Sequence, residues 1–145
     1  MTLRSILVVC EGNICRSPMA QALFSHARPA LRTRSAGLGA LVGMPADEAA
    51  VRLMQARGID IAPHRAQQIS RPLCLEAELV LVMDLHQRER LQQLYPETAG
   101  RVYRLCEASR KDVPDPYRQP EQSFRQSLAL IDEGVQQWLQ RIDKL

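Results

Sequence analysis

Long apolar runs are missing from this sequence of 145 residues. No uninterrupted segment approaches the ~18 residues that a membrane-spanning helix needs, so we expect no membrane insertion. Hydrophobic residues nevertheless make up 46% of the chain, enough for a core that needs no disulfides or metal. The length is close to the commonest size of one domain. The composition therefore predicts one soluble globular domain over residues 1–145.

Cysteine is scarce, and its spacing argues against a metal clip. Four cysteines in a reducing cytosol are expected to be free thiols rather than a disulfide framework. A zinc site needs two closely spaced ligand pairs, but two of the cysteines stand alone and the histidines are scattered. We therefore predict no metal and no cofactor. The residues concerned are Cys10, Cys15, Cys74, Cys106, His26, His64 and His86.

Charge of one sign is also lacking. The net charge is +3, and Lys and Arg are spread along the chain without a dense basic block, which argues against a nucleic-acid partner. The first residues, MTLRSILVVC, contain a short apolar run but no small-residue cleavage site follows it. They are expected to form a buried strand and not a signal peptide, which predicts a cytoplasmic protein.

Strand and helix patterns alternate along the chain. Apolar β-branched runs predict strands, and apolar spacings of three and four predict helices, most clearly from Phe124 to Ile142. The alternation predicts an α/β fold of three layers, a parallel sheet with helices on both faces. The predicted strands are 3–9, 32–36, 78–83 and 102–105, and the other predicted helices are 18–27, 47–57, 73–77 and 85–94.

The segment VCEGNICRSP, residues 9–18, follows the first strand and precedes a helix. Backbone amides in a tight loop before a helix N-terminus make a cradle for an anion. Gly12 has no Cβ and can therefore take a left-handed conformation, and Asn13 is among the few other residues that tolerate one. Ser17 is expected to cap the helix, with Pro18 at its first position. The loop therefore predicts a phosphate-sized binding site.

A nucleophile stands at the start of the same loop. Arg16 adds a planar cation that can hold two phosphoryl oxygens. The amides and Arg16 favour negative charge, so Cys10 is expected to be a thiolate placed for attack on phosphorus. Ser17 could donate a hydrogen bond to that thiolate. The residue pattern is typical of nucleophilic phosphoryl transfer.

A proton donor is also needed, because an alkoxide or phenolate leaves poorly. The loop 106–120 offers Asp112 and Asp115, of which Asp115 is preferred because prolines stiffen the backbone on both sides of it. Tyr117 is expected to form an apolar wall for an aromatic substrate.

The chain resembles low-molecular-weight protein tyrosine phosphatases over essentially its whole length, through VCEGNICRSP and the later DPY. The resemblance implies a four-stranded parallel sheet of the phosphotyrosine phosphatase I-like fold. It implies a phosphocysteine intermediate at Cys10, phosphoryl binding by Arg16 and a phosphate-binding loop that includes Glu11, Ile14 and Cys15. It also implies that Asp115 protonates the leaving tyrosine oxygen and then activates water.

The resemblance further implies a network that supports the loop. Asn13 and Ser17 would be hydrogen-bonded with Ser35 and His64, although Ser35 could be only a strand-end serine and His64 only a surface histidine. Leu41 falls where other branches of the family place an aromatic wall of the cleft, so one wall would be apolar but not aromatic. Cys15 would be a redox partner of Cys10, or only a packing residue of the loop.

Within the family, SAGLGALVGMPAD resembles the bacterial branch that serves capsule and exopolysaccharide production. That branch implies a phosphotyrosine protein as substrate, namely an autophosphorylated bacterial tyrosine kinase with a Tyr-rich tail, and a monomeric enzyme. The alternative is a broad phosphotyrosine phosphatase with no dedicated partner.

Three rival functions remain for the same fold. Arsenate reductases need further cysteines after the third strand, and residues 84–97 contain none. Phosphoarginine phosphatases tend to carry Thr where Ile14 stands, and Ile14 suits an aromatic ring better. A non-catalytic phosphotyrosine-binding module would be expected to lack Cys10 or Asp115. Glu11 has no predicted role beyond its backbone amide.

Overall fold

The computed structural model describes residues 2–145. These residues form four strands, five α-helices and one turn of 3₁₀-helix around a single sheet, with helical elements between all successive strands. The elements are β1 (Ser5–Cys10), α1 (Arg16–Ala27), β2 (Arg32–Gly37), α2 (Glu48–Gln55), α3 (Arg71–Glu76), β3 (Leu79–Val82), α4 (Leu85–Leu94), the 3₁₀ turn (Pro96–Thr98), β4 (Val102–Arg104) and α5 (Glu121–Asp143).

The sheet is parallel throughout, with the strand order β2-β1-β3-β4. β1 lies in the centre, where Ile6 pairs with Thr33 on one side and with Leu79 on the other. The carboxyl end of a central parallel strand is where α/β folds place their ligands. Here that end is Cys10, paired with Gly37 of β2.

Successive residues of β1 point into two different cores. Ile6 and Val8 belong to the core shared with Phe24 of α1, whereas Leu7 and Val9 belong to the core on the opposite face. The first core also contains residues of α2 and α5, and the second contains residues of α3 and α4. The predicted three-layer α/β fold with a four-stranded parallel sheet is confirmed.

The C-terminal helix α5 buries the apolar stripe that its sequence predicts. Phe124 and Ile131 are almost fully buried, and Trp138 donates its indole N–H to the carbonyl oxygen of Arg104 at 3.3 Å. Truncating a buried Phe to Ala typically costs about 3–5 kcal/mol. The stripe consists of Phe124, Leu128, Ile131, Val135, Trp138 and Leu139.

Helix boundaries follow their capping residues, with one correction. Asp47 and Asp84 accept hydrogen bonds from backbone N–H groups in the first turns of α2 and α4. The prediction that Ser17 caps α1 is wrong: α1 begins at Arg16 after Cys15, and Ser17 lies inside the first turn. The physical reason is that its hydroxyl is engaged by Cys10 and Asn13 instead.

The segment between α2 and α3, predicted as irregular, extends the sheet. Gly37 donates its N–H to the Gln67 carbonyl, and its own carbonyl accepts from the Ile69 N–H. These two hydrogen bonds form a parallel bridge between Gly37 and Gln68. This bridge brings residues 64–68 beside the loop that follows β1. The other predicted bounds lie within three residues of the observed ones, and those of α4 coincide with them, whereas the 3₁₀ turn was not predicted. Across residues 2–145, no helix has both the length and the apolarity to cross a membrane.

Candidate active site

The loop after β1 curls tightly through one residue in the left-handed region. Asn13 has φ = 58° and is completely buried. Gly12, which could also adopt such a conformation, does not, and a Cβ at Gly12 would meet only ordinary contacts with Ile14 and Leu41. The turn therefore depends on the tolerance of Asn for positive φ, helped by side-chain hydrogen bonds.

Asn13 is the hub of the loop. Its Nδ2 donates to the Ser17 hydroxyl at 2.7 Å and to the Ser35 hydroxyl at 3.0 Å, while its Oδ1 accepts from the Gln67 N–H at 2.9 Å. All the donors and one acceptor of the buried amide are thereby satisfied, which fixes its orientation. The loop conformation is held by side chains that lie far apart in the sequence.

The Cys10 sulfur receives two contacts from this loop. The backbone N–H of Asn13 donates to Sγ at 3.3 Å, and the Ser17 hydroxyl lies 2.9 Å from Sγ. Since the Ser17 oxygen already accepts from Asn13, its own proton is free to be donated to the sulfur. Two hydrogen-bond donors are therefore directed at one sulfur atom.

Ser35 and His64 join the network that the family resemblance implies. The Ser35 hydroxyl donates to Oε1 of Gln21 at 2.6 Å, and the ring Nε2 of His64 donates to the Asn13 carbonyl at 2.7 Å. Burial lowers the pKa of His64, partly opposed by that hydrogen bond. A neutral His64 with its proton on Nε2 matches this contact.

Arg16 is buried beneath the loop that follows β1. Its guanidinium faces Asp115 in the loop 106–120, called the acid loop below. Its Nη1 donates to the Val113 carbonyl at 2.8 Å, and its Nη2 lies 3.5 Å from Oδ2 of Asp115. Asp84, at the carboxyl end of β3, lies 3.9 Å from Nη1. The Nε–H of Arg16 is buried without a hydrogen-bond partner among residues 2–145. A bound oxyanion could satisfy such a donor.

The two candidate acids have different surroundings. Asp112 pairs with Arg104, which also pairs with Glu107. Asp115 instead is close to Arg16 and accepts a hydrogen bond from the Tyr117 N–H. The structure therefore brings Asp115, and not Asp112, to the cavity above Cys10.

A cavity of about 140 Å³ opens above the loop and is lined mainly by the predicted residues. Tyr117 and Leu41 stand at its mouth, and both are partly exposed. The guanidinium carbon of Arg118 lies over the Tyr117 ring, 5.2 Å from the ring centroid. The cavity is lined by Cys10, Glu11, Gly12, Ile14, Cys15, Arg16, Gly39, Leu41, Asp115 and Tyr117.

The remaining cysteines are buried thiols. Burial raises the pKa of Cys74 and of Cys106 to about 11, and it is also the main cause of the raised pKa of Cys15. Cys74 is the residue of α3 that lies in the core, and the Cys106 thiol donates to the Leu130 carbonyl. Within residues 2–145, no three His, Cys, Asp or Glu side chains are arranged to hold a metal ion.

Sequence reasoning missed several contacts of the site. Asp84 could have been found, because it directly follows a parallel strand, where side chains reach the ligand edge of the sheet. Gln21 and the Val113 carbonyl have no comparable signal. The ion pair between Glu11 and Arg90 was also missed.

The chain is similar to known proteins over nearly its whole length. Residues 5–145 match the family model described as low molecular weight phosphotyrosine protein phosphatase. A relative from Ralstonia nicotianae, named "Probable low molecular weight protein-tyrosine-phosphatase EpsP", is 48% identical over 143 residues, which is 99% of each chain.

Solved structures share the fold. Vibrio vulnificus Wzb in complex with benzylphosphonate has a TM-score of 0.92 and 38% identity, covering 99% of both chains. The YwlE arginine phosphatase from Geobacillus stearothermophilus has a TM-score of 0.91 and 28% identity, covering 97% of this chain and 94% of its own. This chain therefore shares its fold with a structure named Wzb and with one named an arginine phosphatase. The family model matches nearly the whole chain. The chain belongs to the low molecular weight phosphotyrosine protein phosphatase family.

Proposed function

We propose that this protein hydrolyses phosphotyrosine in proteins through a phosphocysteine intermediate. One observation carries the proposal: Cys10, Arg16 and Asp115 line a single cavity, with two hydrogen-bond donors directed at the Cys10 sulfur. Nucleophile, phosphoryl-binding cation and acid are the three groups that this reaction needs.

In the first step, the Cys10 thiolate attacks phosphorus and forms an S–P bond. The P–O bond to tyrosine breaks, and Asp115 gives its proton to the departing tyrosine oxygen. Arg16 and the loop amides hold the phosphoryl oxygens, where negative charge builds up. When the phosphoryl group binds the Arg16 guanidinium, we expect Asp115 to separate from Arg16.

In the second step, water attacks the phosphocysteine and the S–P bond breaks. Asp115, now a carboxylate, accepts the proton of that water, and inorganic phosphate leaves. The Cys10 thiolate is a good leaving group because Ser17 and the Asn13 N–H donate to its sulfur. No other group of the chain is needed to balance the reaction.

One variant, compared with the unaltered protein, tests the nucleophile. Cys10→Ser should abolish turnover of p-nitrophenyl phosphate under reducing conditions and still bind inorganic phosphate, because the cradle remains. Retained turnover would contradict the assignment of Cys10. Failure of the unaltered protein to turn over this substrate would favour the non-catalytic binding module.

Phosphoarginine is the second candidate substrate, since the family's fold is shared with an arginine phosphatase. Ile14 favours phosphotyrosine, because it places an apolar side chain at the cavity where a guanidinium would need a polar partner. Turnover of matched phosphotyrosine and phosphoarginine peptides distinguishes the two. A higher kcat/KM for the phosphoarginine peptide would overturn the proposal. Arsenate reduction is disfavoured because Cys74 and Cys106 are both buried.

We also propose a partner and a setting. The relatives named EpsP and Wzb, together with the SAGLGALVGMPAD resemblance, support a bacterial tyrosine kinase of exopolysaccharide or capsule production as the substrate. The protein would act in the cytoplasm, as a monomer. A substrate-trapping Asp115→Ala variant should retain the autophosphorylated kinase in a pull-down. Equal retention of the unphosphorylated kinase would contradict a phosphotyrosine-dependent interaction.

A further inference from the structure

An acidic residue directly follows the nucleophile in a loop that binds an anion. The Glu11 carbonyl accepts from the Gly39 N–H at 2.9 Å, and a Cβ at Gly37 would lie only 2.6 Å from the same oxygen. The backbone of Glu11 is thus clamped against the turn after β2. Its Oε2 is buried without a hydrogen-bond partner among the described residues, and a Cβ at Gly39 would lie 3.1 Å from it.

The carboxylate has one strong partner from outside the loop. Nη1 of Arg90, on α4, donates to Oε1 of Glu11 at 2.6 Å. The side chains of Glu11 and Arg90 are 43% and 35% exposed, so the pair sits at the rim of the cavity rather than in the core. Exposed pairs of this kind contribute little to folding stability. We therefore expect the pair to affect the cavity more than the stability of the fold.

Charge at the site explains why Glu11 needs a partner. Among the residues that line the cavity, Arg16 is the sole Lys or Arg, whereas Glu11 and Asp115 are both carboxylates. Asp84 adds a third carboxylate 3.9 Å from Arg16. A phosphate dianion would be repelled by each of these three carboxylates. Asp115 and Asp84 both lie beside Arg16, whereas the Glu11 carboxylate is paired with Arg90.

We propose that Arg90 is a positioning residue that screens the Glu11 carboxylate and so sets the affinity of the loop for phosphate. Arg90 does not touch the substrate in this account; it acts through Glu11. The inference deepens the proposed function, because it concerns how the same loop binds the phosphoryl group. Arg90 lies 79 residues after Glu11 and outside the phosphate-binding loop, yet it would affect how that loop binds phosphate.

Direct binding of inorganic phosphate to four proteins tests the proposal: the unaltered protein, Arg90→Met, Glu11→Gln and the double variant. Calorimetry at low salt gives each Kd. Arg90→Met should weaken binding about two- to fivefold, since it leaves a bare carboxylate at the rim. Glu11→Gln should tighten it by a similar factor, because Arg90 is then free. The double variant should return to nearly the original Kd.

A purely structural role predicts another pattern. If the pair only held the loop in shape, Glu11→Gln and Arg90→Met would both weaken phosphate binding, and the double variant would be no better than Arg90→Met. Either result would overturn the proposal. Arg90→Lys keeps the positive charge and should recover most of the affinity lost in Arg90→Met. If Arg90→Met does not fold, the opposite sign expected for Glu11→Gln still tests the proposal.

Salt dependence provides an independent readout. The difference in Kd between Arg90→Met and the unaltered protein should shrink as sodium chloride rises from about 0.01 M to about 0.5 M, because an exposed charge is screened. A difference that does not change with salt would contradict a charge effect. Turnover of p-nitrophenyl phosphate by the unaltered protein, measured alongside, tests the proposed function separately from the phosphate Kd values.

Discussion

The guanidinium of Arg16 and the carboxylate of Asp115 face each other 3.5 Å apart at the floor of the cavity. Arg16 is buried while Asp115 is half exposed, so the acid can move without disturbing the cation. The pairing places the group proposed to deliver a proton beside the group proposed to hold the phosphoryl oxygens. It also couples the acid loop to α1, although the two lie about a hundred residues apart.

The leaving group should decide the cost of removing the acid. Asp115→Asn is expected to lower kcat for a phosphotyrosine peptide by about 10²–10⁴-fold, because tyrosine leaves poorly without a proton. The loss should be much smaller for p-nitrophenyl phosphate, whose leaving group is already good. Steady-state kinetics on the two substrates checks this, and an equal loss on both would argue against an acid role. Asp112→Asn is the matched control: it removes one contact of Arg104 but no cavity-lining acid, and it should show a much smaller dependence on the leaving group.

Asn13 should contribute to stability through both its side chain and its backbone. Asn13→Ala leaves buried partners unsatisfied, at about 1–3 kcal/mol. It also places Ala at φ = 58°, which adds about 1–2 kcal/mol. Asn13→Gly loses the same hydrogen bonds, but Gly adopts a positive φ without the steric cost that Ala pays. The Gly variant should therefore be more stable than Asn13→Ala by about 1 kcal/mol. Urea unfolding measures both. An Ala variant as stable as the Gly variant would show that the backbone conformation carries no cost.

Oxidation should be reversible because of Cys15. Peroxide converts the Cys10 thiolate to a sulfenic acid, and the Cys15 thiol then displaces its oxygen as water to form a disulfide. Dithiothreitol should restore activity to the unaltered protein, whereas Cys15→Ser should lose activity permanently through overoxidation of Cys10. Mass spectrometry of the peptides identifies each product. Full recovery of oxidised Cys15→Ser would indicate that Cys15 is only a packing residue.

Arg104 should hold the acid loop through Asp112 and Glu107. Arg104→Met is expected to lower kcat for a phosphotyrosine peptide about tenfold, because a loosened loop misplaces the acid. The loss for p-nitrophenyl phosphate should be smaller. Arg88→Met removes a cation that contacts Glu107 but not Asp112, and serves as the control. Equal effects of the two variants on both substrates would contradict a role in placing Asp115.

Acidification should destabilise the protein partly through His64. Its folded-state pKa lies below the usual value near 6.5, so the unfolded chain takes up the proton first as the pH falls. Stability is therefore lost as the pH falls from about 6.5 toward the folded-state pKa. His64→Gln can keep the donor to the Asn13 carbonyl and cannot titrate. The urea midpoint of the unaltered protein should fall more than that of His64→Gln between about pH 7.5 and 5.5; parallel falls would exclude His64 as the source.

Sequence patterns predicted the sheet and the main catalytic candidates because they reflect local physics. The apolar run of β1, the Gly and Asn of the loop and the stripe of α5 each have a direct structural meaning. The exception is instructive: the positive φ fell on Asn13 and not on Gly12, since only Asn13 makes side-chain hydrogen bonds that hold the turn. Local propensity did not reveal that preference.

Contacts between distant segments could not be predicted from spacing. Gln67 reaches Asn13 because a bridge at Gly37 brings its segment to the sheet, and no periodicity marks that bridge. The Val113 carbonyl that accepts from Arg16 is a backbone group, which any residue type could supply. Arg90 looked like one more charge on the polar face of α4.

The most direct test of the account is the identity of the phosphorylated atom during turnover. Rapid acid quenching of a reaction between the Asp115→Asn variant and p-nitrophenyl phosphate, followed by peptide mass spectrometry, should find one phosphoryl group on Cys10. This substrate is used because its leaving group needs no acid, whereas hydrolysis of the phosphocysteine lacks the base that Asp115 would supply. The group should be absent when Cys10→Ser is added to the same chain, while inorganic phosphate still binds. A phosphoryl group on another residue, or turnover that persists in Cys10→Ser, would contradict the central claim.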